Sequence, residues 1–363
     1  MKEKILVYIG TYTRGKSEGI YVYEMEPSSG ALEYYSKATG LVNPSFLDLN
    51  PEKNYLYSVN EIKDYNGKAT GAVSSFSVDS KTGELTFINT KPSEGTGPCH
   101  LSVDNTGRHV LVANYLGGNI SVIPIQKDGS LADATDFIQH KGSSIDPIRQ
   151  ESPHAHNIIL DSANNYAFVS DLGIDKIMIY KYDSAKGKLT PNNTPWVKIK
   201  AGAGPRHFTF HPEGYYAYLI NELNSTITAF TYDAAKGILK EIQTVPTLPE
   251  DFTGRNHCAD IHVNPSGKFV YGSNRGHDSI VIYKIDTLTG RLKYVDHEPT
   301  QGKTPRNFAI DNTGTFLLAA NQDTNNIVTF RINKKTGRLT PTSQVAKVPM
   351  PVCLKLVMKR LQS

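Results

Sequence analysis

The chain has 363 residues, of which 39% are hydrophobic, enough for a large core, and its formal net charge is only +4. Lysines and acidic residues are interspersed, and no basic stripe with interleaved aromatic residues is present, so we expect no nucleic-acid partner. No apolar run approaches membrane-spanning length and the amino-terminal segment lacks a signal-peptide pattern, so we expect a soluble, cytoplasmic protein without a membrane partner.

A strand–turn–strand pattern recurs seven times along the chain. Each copy has an alternating strand, an acidic or polar turn, a glycine and a second alternating strand, as in GIYVYEMEPSSGALEYYS from Gly19. The turn glycines lie 46 to 58 residues apart, at Gly30, Gly83, Gly129, Gly187, Gly237, Gly290 and Gly337. A period near fifty residues built from short strands is typical of the blades of a propeller.

A second pattern, an apolar strand, a turn rich in Asp, Asn, Pro and Gly, and another strand, precedes the glycine turns. An example is PCHLSVDNTGRHVLVANY from Pro98. Each repeat therefore predicts four antiparallel strands, which we call A, B, C and D. The last copy is split: PVCLKLV from Pro351 matches strand A, and KILVYIGTY from Lys4 matches strand B. We predict an all-β, seven-bladed β-propeller whose ring closes by pairing the N- and C-terminal strands in one blade.

No linker or composition break interrupts the repeats, so we predict that residues 1–363 form one domain. The longest stretch without the pattern, at about 139–150, is expected to form a loop over one face. Cys99, Cys258 and Cys353 are too widely spaced for a disulfide framework or a zinc signature, and we expect them to be small buried hydrophobic residues.

Strands A and B are predicted to be antiparallel neighbours, so the start of A and the end of B share one edge of each blade. Residues that interrupt the repeat at this edge are informative: Glu222 and Arg275 at B ends, and Arg206 and Arg306 at A starts. Buried arginines are costly unless they are paired or bind an anion, so this set indicates phosphate or carboxylate recognition. The asparagines repeated at B ends are expected to bond blade edges: Asn60, Asn114, Asn221, Asn274 and Asn321.

Four histidines fall at the same predicted edge: His154, His156, His207 and His257. The His-x-His spacing places His154 and His156 on one face of a strand, so a metal site is an alternative. No carboxylate or cysteine spacing completes a known site, and we expect no metal. The chain also lacks a G-x-S-x-G elbow, a phosphate loop and a dinucleotide fingerprint, so we expect neither a cofactor nor covalent catalysis.

Taken in order, several motifs resemble those of the lactonase family of seven-bladed propellers: YIGTYT, GPCHLSVDNTGRHVLVANY, SPHAHNI, GPRHFTFHPEG, YLINEL, SNRGHDSI and PRNFAIDNTGTFLLAANQ. The family includes a propeller-type 6-phosphogluconolactonase and a carboxymuconate cyclase, and the resemblance covers about residues 9–356. It implies a site made of a histidine, a glutamate and two arginines. The matching residues are Glu222, Arg206, Arg275 and either His154 or His156, of which we prefer His156.

The resemblance implies hydrolysis of a sugar lactone by water attack, most specifically of 6-phosphogluconolactone to 6-phosphogluconate in the pentose phosphate pathway. The expected catalytic residues are Glu222, His156, Arg206 and Arg275. The substrate-binding candidates are His154, His207, His257, Arg306 and Asn321. We expect a small anionic sugar-lactone substrate and a monomer or weak dimer.

Two alternatives remain. One is a lactonising enzyme of the carboxymuconate type, which would share the site and differ in the group that holds the anion. The other is a non-catalytic propeller that binds a protein or a small anion. A protein-binding face should show exposed aromatic anchors, whereas the tyrosines here fall mostly within alternating strands.

Overall fold

The structure, a computed structural model, describes residues 3–360. Seven four-stranded antiparallel sheets within these residues form a seven-bladed β-propeller, which confirms the predicted all-β fold class. Internal contacts divide the chain into two compact units. The first unit has three segments: the chain up to Ile9, then Val22–Tyr35, then the chain from Arg206 onward. The second unit has two segments, Gly10–Tyr21 and Ser36–Pro205. The single domain stays a prediction.

Three sheets lie within the second unit, each with its strands in A-B-C-D order. The first consists of β4 (Leu47–Leu49), β5 (Tyr55–Asn60), β6 (Ala72–Val78) and β7 (Leu85–Pro92). The second consists of β8 (Pro98–Val103), β9 (His109–Asn114), β10 (Asn119–Pro124) and β11 (Asp136–Gln139). The third consists of β12 (Ala155–Leu160), β13 (Tyr166–Asp171), β14 (Lys176–Asp183) and β15 (Lys188–Lys198), with a 3₁₀ helix, Leu172–Ile174, between β13 and β14.

Three further sheets lie within the first unit, and they keep the same order. The first consists of β16 (Pro205–Phe210), β17 (Tyr216–Asn221), β18 (Thr226–Asp233) and β19 (Ile238–Pro246), and Pro205 alone belongs to the second unit. The second consists of β20 (His257–Val263), β21 (Phe269–Arg275), β22 (Ser279–Ile285) and β23 (Leu292–Pro299). The third consists of β24 (Pro305–Ile310), β25 (Phe316–Asn321), β26 (Asn326–Ile332) and β27 (Leu339–Lys347).

The remaining sheet joins the two ends of the chain. Its order is β28 (Pro351–Arg360), β1 (Glu3–Thr11), β2 (Gly19–Met25) and β3 (Leu32–Thr39). The last strand therefore supplies strand A and the first strand supplies strand B, as predicted. This pairing leaves no blade with a missing strand.

The turn glycines have the backbone conformation that the repeat requires. All seven have a positive φ, between 61° and 83°, a region that side chains with a Cβ rarely occupy. At Gly290 an added Cβ would also lie 2.3 Å from the ring of Tyr216 in the preceding blade. Between the sheets, apolar side chains form the core, for example Ile220 and Val281, both fully buried in one cluster. Glycine at the C–D turn thus allows adjacent blades to pack closely.

A buried aspartate or asparagine organises the A–B turn in most blades. Asp311 accepts hydrogen bonds from the backbone N–H groups of Thr315 (2.7 Å) and Phe316 (2.6 Å) through Oδ1. Asn264 makes the same pair of bonds with Lys268 and Phe269, each at 3.1 Å. These side chains act within their own turn, and they satisfy N–H groups that would otherwise be buried without a partner.

Candidate active site

The start of strand A faces the end of strand B in the blades, as predicted. His257 pairs with Arg275, Pro305 with Asn321, and, in the second unit, Ala155 with Asp171. The register shifts where strand A begins, and the residues at the shift are Cys99, His156 and Arg306. Register shifts of this kind redirect a side chain away from the regular alternation of a strand, and they are common near active sites.

Glu222 lies between two arginines in the first unit. Its Oε2 accepts hydrogen bonds from Nε of Arg206 and from a terminal nitrogen of Arg275, both at 2.9 Å. Arg206 comes from the start of β16, Glu222 directly follows β17, and Arg275 ends β21. The predicted meeting of a guanidinium pair with a carboxylate is therefore present, and it joins two adjacent blades.

Backbone carbonyls hold both arginines in place. Arg206 donates from a terminal nitrogen to the carbonyl of Ala259, and Arg275 donates to the carbonyls of His257 (3.3 Å) and Cys258 (2.9 Å). The two differ in exposure: the side chain of Arg206 is 2% exposed and that of Arg275 is 14% exposed. Arg275 can therefore reach a bound molecule with remaining N–H groups, whereas Arg206 is enclosed.

The cluster carries more positive than negative charge. Burial lowers the pKa of Arg206 to about 10, and the guanidinium groups of Arg275 and Arg306 act in the same direction, while Glu222 opposes them. Burial also lowers the pKa of Arg275, with Glu222 opposing the shift and Arg306 adding to it. Three guanidinium groups thus influence one another, and the carboxylates of Glu222 and Asp260 both oppose the shift of Arg206. A bound anion would stabilise the charged form of all three.

Asp260 lies at the centre of a second buried network in the first unit. Its carboxylate accepts hydrogen bonds from Nδ1 of His207 (2.7 Å), from Nε2 of His262 (2.9 Å) and from the side-chain amide of Asn307. The carbonyl oxygen of the Asn307 side chain in turn accepts from the backbone N–H of Leu354 (2.7 Å). The A strands of four successive blades are linked in this way.

The protonation of this network follows from its burial and its charges. Burial and the neighbouring Arg206 lower the pKa of His207 to about 4, although Asp260 opposes the shift. His207 is therefore neutral at pH 7, with its proton on Nδ1. Burial alone would raise the pKa of Asp260, but His262 and the bonds from His207 and His262 hold it well below its usual range. Asp260 is the buried anion of the network.

Sequence comparison of the blades did not identify Asp260, because the alignment placed Asn256 and His257 at the start of strand A in this blade. In the structure Cys258 pairs with Asn274 as Pro305 pairs with Asn321, so Ala259 and Asp260 take the positions of Arg306 and Asn307. The blade alignment therefore matched Asn256 and His257 to positions that Ala259 and Asp260 occupy. A carboxylate inside an otherwise apolar strand, CADIHV, was the available signal.

The two candidate histidines of the PHAH segment lie in the second unit, and both contact one tyrosine ring. His154 stacks on Tyr115, with ring centroids 4.5 Å apart, and its Nδ1 lies 2.9 Å from the Tyr115 carbonyl. Its Nε2 lies 3.3 Å from a carboxylate oxygen of Glu151. His156 meets the Tyr115 ring edge-on at 5.4 Å, and its Nδ1 lies 3.7 Å from the sulfur of Cys99.

Asn321, a substrate-binding candidate, makes the same kind of bond as other B-end asparagines. Its amide donates to the carbonyl of Thr300 at 3.0 Å, as that of Asn114 does to Ser93 (2.9 Å) and that of Asn274 to Thr247 (2.7 Å). These bonds tie strand B to the segment that enters the blade, which agrees with the expected structural role of the repeated asparagines.

The remaining sequence expectations concern cysteines, metals and membranes. Cys99, Cys258 and Cys353 are buried free thiols, as predicted. Across residues 3–360, no group of three or more His, Cys, Asp or Glu side chains is arranged to hold a metal ion. No helix in this part of the chain has the length and apolar character needed to cross a bilayer.

Known proteins resemble this chain over almost all of its length. The family model described as "Lactonase, 7-bladed beta-propeller" matches residues 6–356. A 6-phosphogluconolactonase of Bacillus subtilis strain 168 is 40% identical over 352 residues, which cover 97% of this chain and 98% of that protein. A 6-phosphogluconolactonase of Formosa agariphila is 38% identical over 309 residues, covering 84% and 86%. The structure of a periplasmic gluconolactonase from Pseudomonas aeruginosa superposes with a TM-score of 0.92 at 32% identity, covering 99% of this chain and all of that one.

Proposed function

Because the chain belongs to the lactonase family of seven-bladed β-propellers, we propose that it hydrolyses 6-phosphogluconolactone to 6-phosphogluconate. Two relatives with 40% and 38% identity carry the name 6-phosphogluconolactonase. The observation that supports the proposal most strongly is the cluster of three guanidinium groups, of Arg206, Arg275 and Arg306, around Glu222. A lactone that carries a phosphate complements such a charge distribution.

We assign the phosphate to Arg306. Arg306 is half-buried at a register shift in β24, and its charge lowers the pKa of both Arg206 and Arg275. Arginine presents N–H groups in a fork that matches two oxygens of a phosphate, and the match is retained for a carboxylate. Phosphate therefore gives tighter binding than an uncharged sugar hydroxyl at the same position.

The lactone carbonyl needs a donor for the negative charge that develops on its oxygen. Arg275 suits this role because its guanidinium group is fixed by two carbonyls and Glu222 yet keeps some exposure. Donors that are already in place cost no reorganisation when the charge appears. Arg206 is enclosed, and we assign it to holding Glu222 and the backbone of the adjacent blade.

We assign the proton transfer to His156. A water molecule attacks the lactone carbonyl carbon while His156 takes a proton from that water. The tetrahedral intermediate then collapses: the ester C–O bond breaks, and His156 returns the proton to the ring oxygen that leaves. Both bonds from the arginines converge on Oε2 of Glu222. We therefore assign Glu222 to holding the two guanidinium groups.

A coupled assay of freshly generated 6-phosphogluconolactone, corrected for spontaneous hydrolysis, tests the proposal. The wild type should accelerate hydrolysis of this lactone, and kcat/KM should be lower for glucono-δ-lactone, which lacks the phosphate. A carboxylated muconolactone serves as a third substrate and tests the alternative reaction. No acceleration of the phosphorylated lactone at any pH from 6 to 8 would refute the proposal.

A double-mutant cycle shows whether His156 and Glu222 act together on one bound substrate. It compares His156→Asn, Glu222→Gln and the double variant. If they do, the loss in kcat for the double variant is smaller than the product of the single losses, because each residue needs the other for its effect. Multiplicative losses would mean that the two residues act independently, and would contradict the assignment of His156.

We further propose a cytoplasmic location and a monomer or weak dimer. The three cysteines are free thiols, a state that a reducing compartment preserves. The P. aeruginosa relative named above is periplasmic, so fractionation of the native host is the direct test. Recovery in the periplasm would overturn this location without affecting the proposed reaction.

A further inference from the structure

Tyr115 directly follows strand β9 in the second unit, and it contacts both histidines of the PHAH segment. Its ring is nearly parallel to that of His154, with 16° between the planes, and nearly perpendicular to that of His156, with 73°. The same residue also offers its backbone carbonyl to Nδ1 of His154 at 2.9 Å. One tyrosine thus restricts the rotation of two neighbouring imidazoles.

Tyr115 is itself held from two sides. Its backbone N–H donates to the carbonyl of Gly97 at 2.9 Å, and its hydroxyl accepts a hydrogen bond from Arg149 at 3.2 Å. Arg149 belongs to the unpatterned segment that sequence comparison singled out at about 139–150. The ring therefore has a fixed position from which to orient its neighbours.

The segment that carries Arg149 is anchored to the polypeptide that follows strand β13. The buried side chain of Gln150 donates to the carbonyl of Leu172 at 2.8 Å, and the hydroxyl of Ser144 donates to Asp175 at 2.5 Å. Asp175 also accepts from the N–H groups of Gly202 and Gly204, each at 2.7 Å. These bonds fix the segment, so Arg149 is presented to Tyr115 by a rigid support.

The two histidines differ in what their ring nitrogens contact. Both nitrogens of His154 lie near oxygen atoms, of Tyr115 and of Glu151, so rotation of its ring would lose two polar contacts. Nδ1 of His156 lies near the sulfur of Cys99, and sulfur is a weak hydrogen-bond partner. Both ring nitrogens of His154 are thus engaged, and the ring of Tyr115 contacts His156 edge-on.

We propose that Tyr115, supported by Arg149, is a positioning residue that orients His156 for proton transfer and leaves His154 as a structural neighbour. The inference rests on the proposed lactonase reaction. Loss of orientation lowers the rate of proton transfer while it leaves the groups that bind the phosphate unchanged. The expected signature is a fall in kcat with little change in KM together with a shifted pH profile of kcat. A smaller folded fraction also lowers the apparent kcat, but it leaves the pH profile where it is in the wild type.

Steady-state kinetics on 6-phosphogluconolactone as a function of pH test the proposal. For Tyr115→Leu, which removes the ring, we expect kcat to fall by about ten-fold or more with KM within about two-fold, and the midpoint of the acidic limb of kcat to move. For Tyr115→Phe and Arg149→Met, which keep the ring, we expect losses of a few-fold in kcat. His154→Asn should lower kcat less than His156→Asn.

The chain offers a matched control in Tyr294→Leu. Tyr294 also contacts a histidine, His297, through its ring (5.2 Å) and its hydroxyl (2.9 Å to Nδ1), but it is 52% exposed and has no role in the proposed reaction. We expect its kinetics to stay within about two-fold of wild type.

If the Tyr115→Leu protein does not fold, Tyr115→Phe and Arg149→Met decide the question by the same kinetic criteria. An active wild type with unchanged kcat and pH profile in the Tyr115 and Arg149 variants would overturn this inference alone. A wild type without lactonase activity would refute the proposed function instead, so the two failures are distinguishable.

Discussion

In the first unit, charged groups are buried at both edges of the blades: at the A–B turns and at the opposite edge, where strand A begins. The two edges satisfy these buried charges in different ways. At the turn, Asp311 accepts hydrogen bonds from N–H groups four and five residues away, within its own hairpin. At the other edge, Glu222 and Arg206 depend on residues of the next blade, up to 53 positions away. The turn arrangement recurs from blade to blade, whereas the arginine cluster is built from residues that interrupt the repeat.

The difference separates structural charges from functional ones. A buried carboxylate that its own turn satisfies needs no ligand, and asparagine replaces it at Asn264 with the same two bonds. The arginine cluster carries excess positive charge, and removing that charge from water costs free energy. This cost appears as a lowered pKa of Arg206 and of Arg275, because burial disfavours the charged form. Such a cost is expected where an anion binds.

The largest expected effect comes from comparing Arg275→Met with Asp311→Asn. The arginine variant loses the proposed carbonyl donor, so kcat on 6-phosphogluconolactone should fall by about 10²–10³-fold. Asp311→Asn keeps the turn bonds, as Asn264 shows, so its activity should stay within about two-fold of wild type. Equal losses of activity in the two variants would remove the distinction between the two edges.

The next effect concerns stability. Arg206→Met removes an enclosed cation and leaves Glu222 with one fewer partner, so unfolding in urea should require about 3 kcal/mol less free energy. Arg206→Lys restores the charge without the Nε bond and should recover part of that loss. A change below about 0.5 kcal/mol for Arg206→Met would show that the ion pair contributes nothing to the fold.

The pH dependence of stability tests the protonation of His207. Its folded-state pKa of about 4 lies below the value of 6.5 for an unperturbed histidine, so the unfolded chain takes up the proton first. The stability that neutral His207 provides is fully present above pH 6.5 and is lost as the pH falls toward 4, by about 2 kcal/mol at pH 5. His207→Asn should remove this part of the slope between pH 7 and pH 5, measured by urea unfolding. An unchanged slope would contradict a neutral His207.

The smallest expected effect separates Asn321 from substrate binding. Asn321→Ala and Asn114→Ala each leave one carbonyl, of Thr300 or Ser93, without its amide donor. We expect both to lose about 1 to 2 kcal/mol of stability and to leave KM unchanged. An increase in KM for Asn321→Ala alone would place that residue among the substrate contacts after all.

The fold was predictable because each blade repeats the same local rules. The alternating strands, the turn glycines and the split copy at the chain ends all appear in the sequence, and the structure confirms them. Arg206, Glu222 and Arg275 could be singled out because they interrupt that repetition, and the structure places them in contact.

The hydrogen bonds of Asp260 and the ring contacts of Tyr115 were not predicted, for physical reasons. Asp260 takes the strand position of Asn307, whereas the repeated motif matched His257 to that position, and strand pairing rather than sequence period sets the register. Tyr115 acts through ring stacking with residues about forty positions away, which depends on side-chain rotamers. Which rings stack on one another is decided by packing, so only the structure shows these contacts.

Calorimetric titration with 6-phosphogluconate tests most directly whether the excess guanidinium charge binds the phosphate. For the wild type, we expect 6-phosphogluconate to bind more tightly than gluconate, and this preference to disappear in Arg306→Met. Asp311→Asn should retain the preference. If the wild type bound both ligands equally, or if Arg306→Met kept the full preference, the assignment of the arginine cluster to the phosphate would be contradicted.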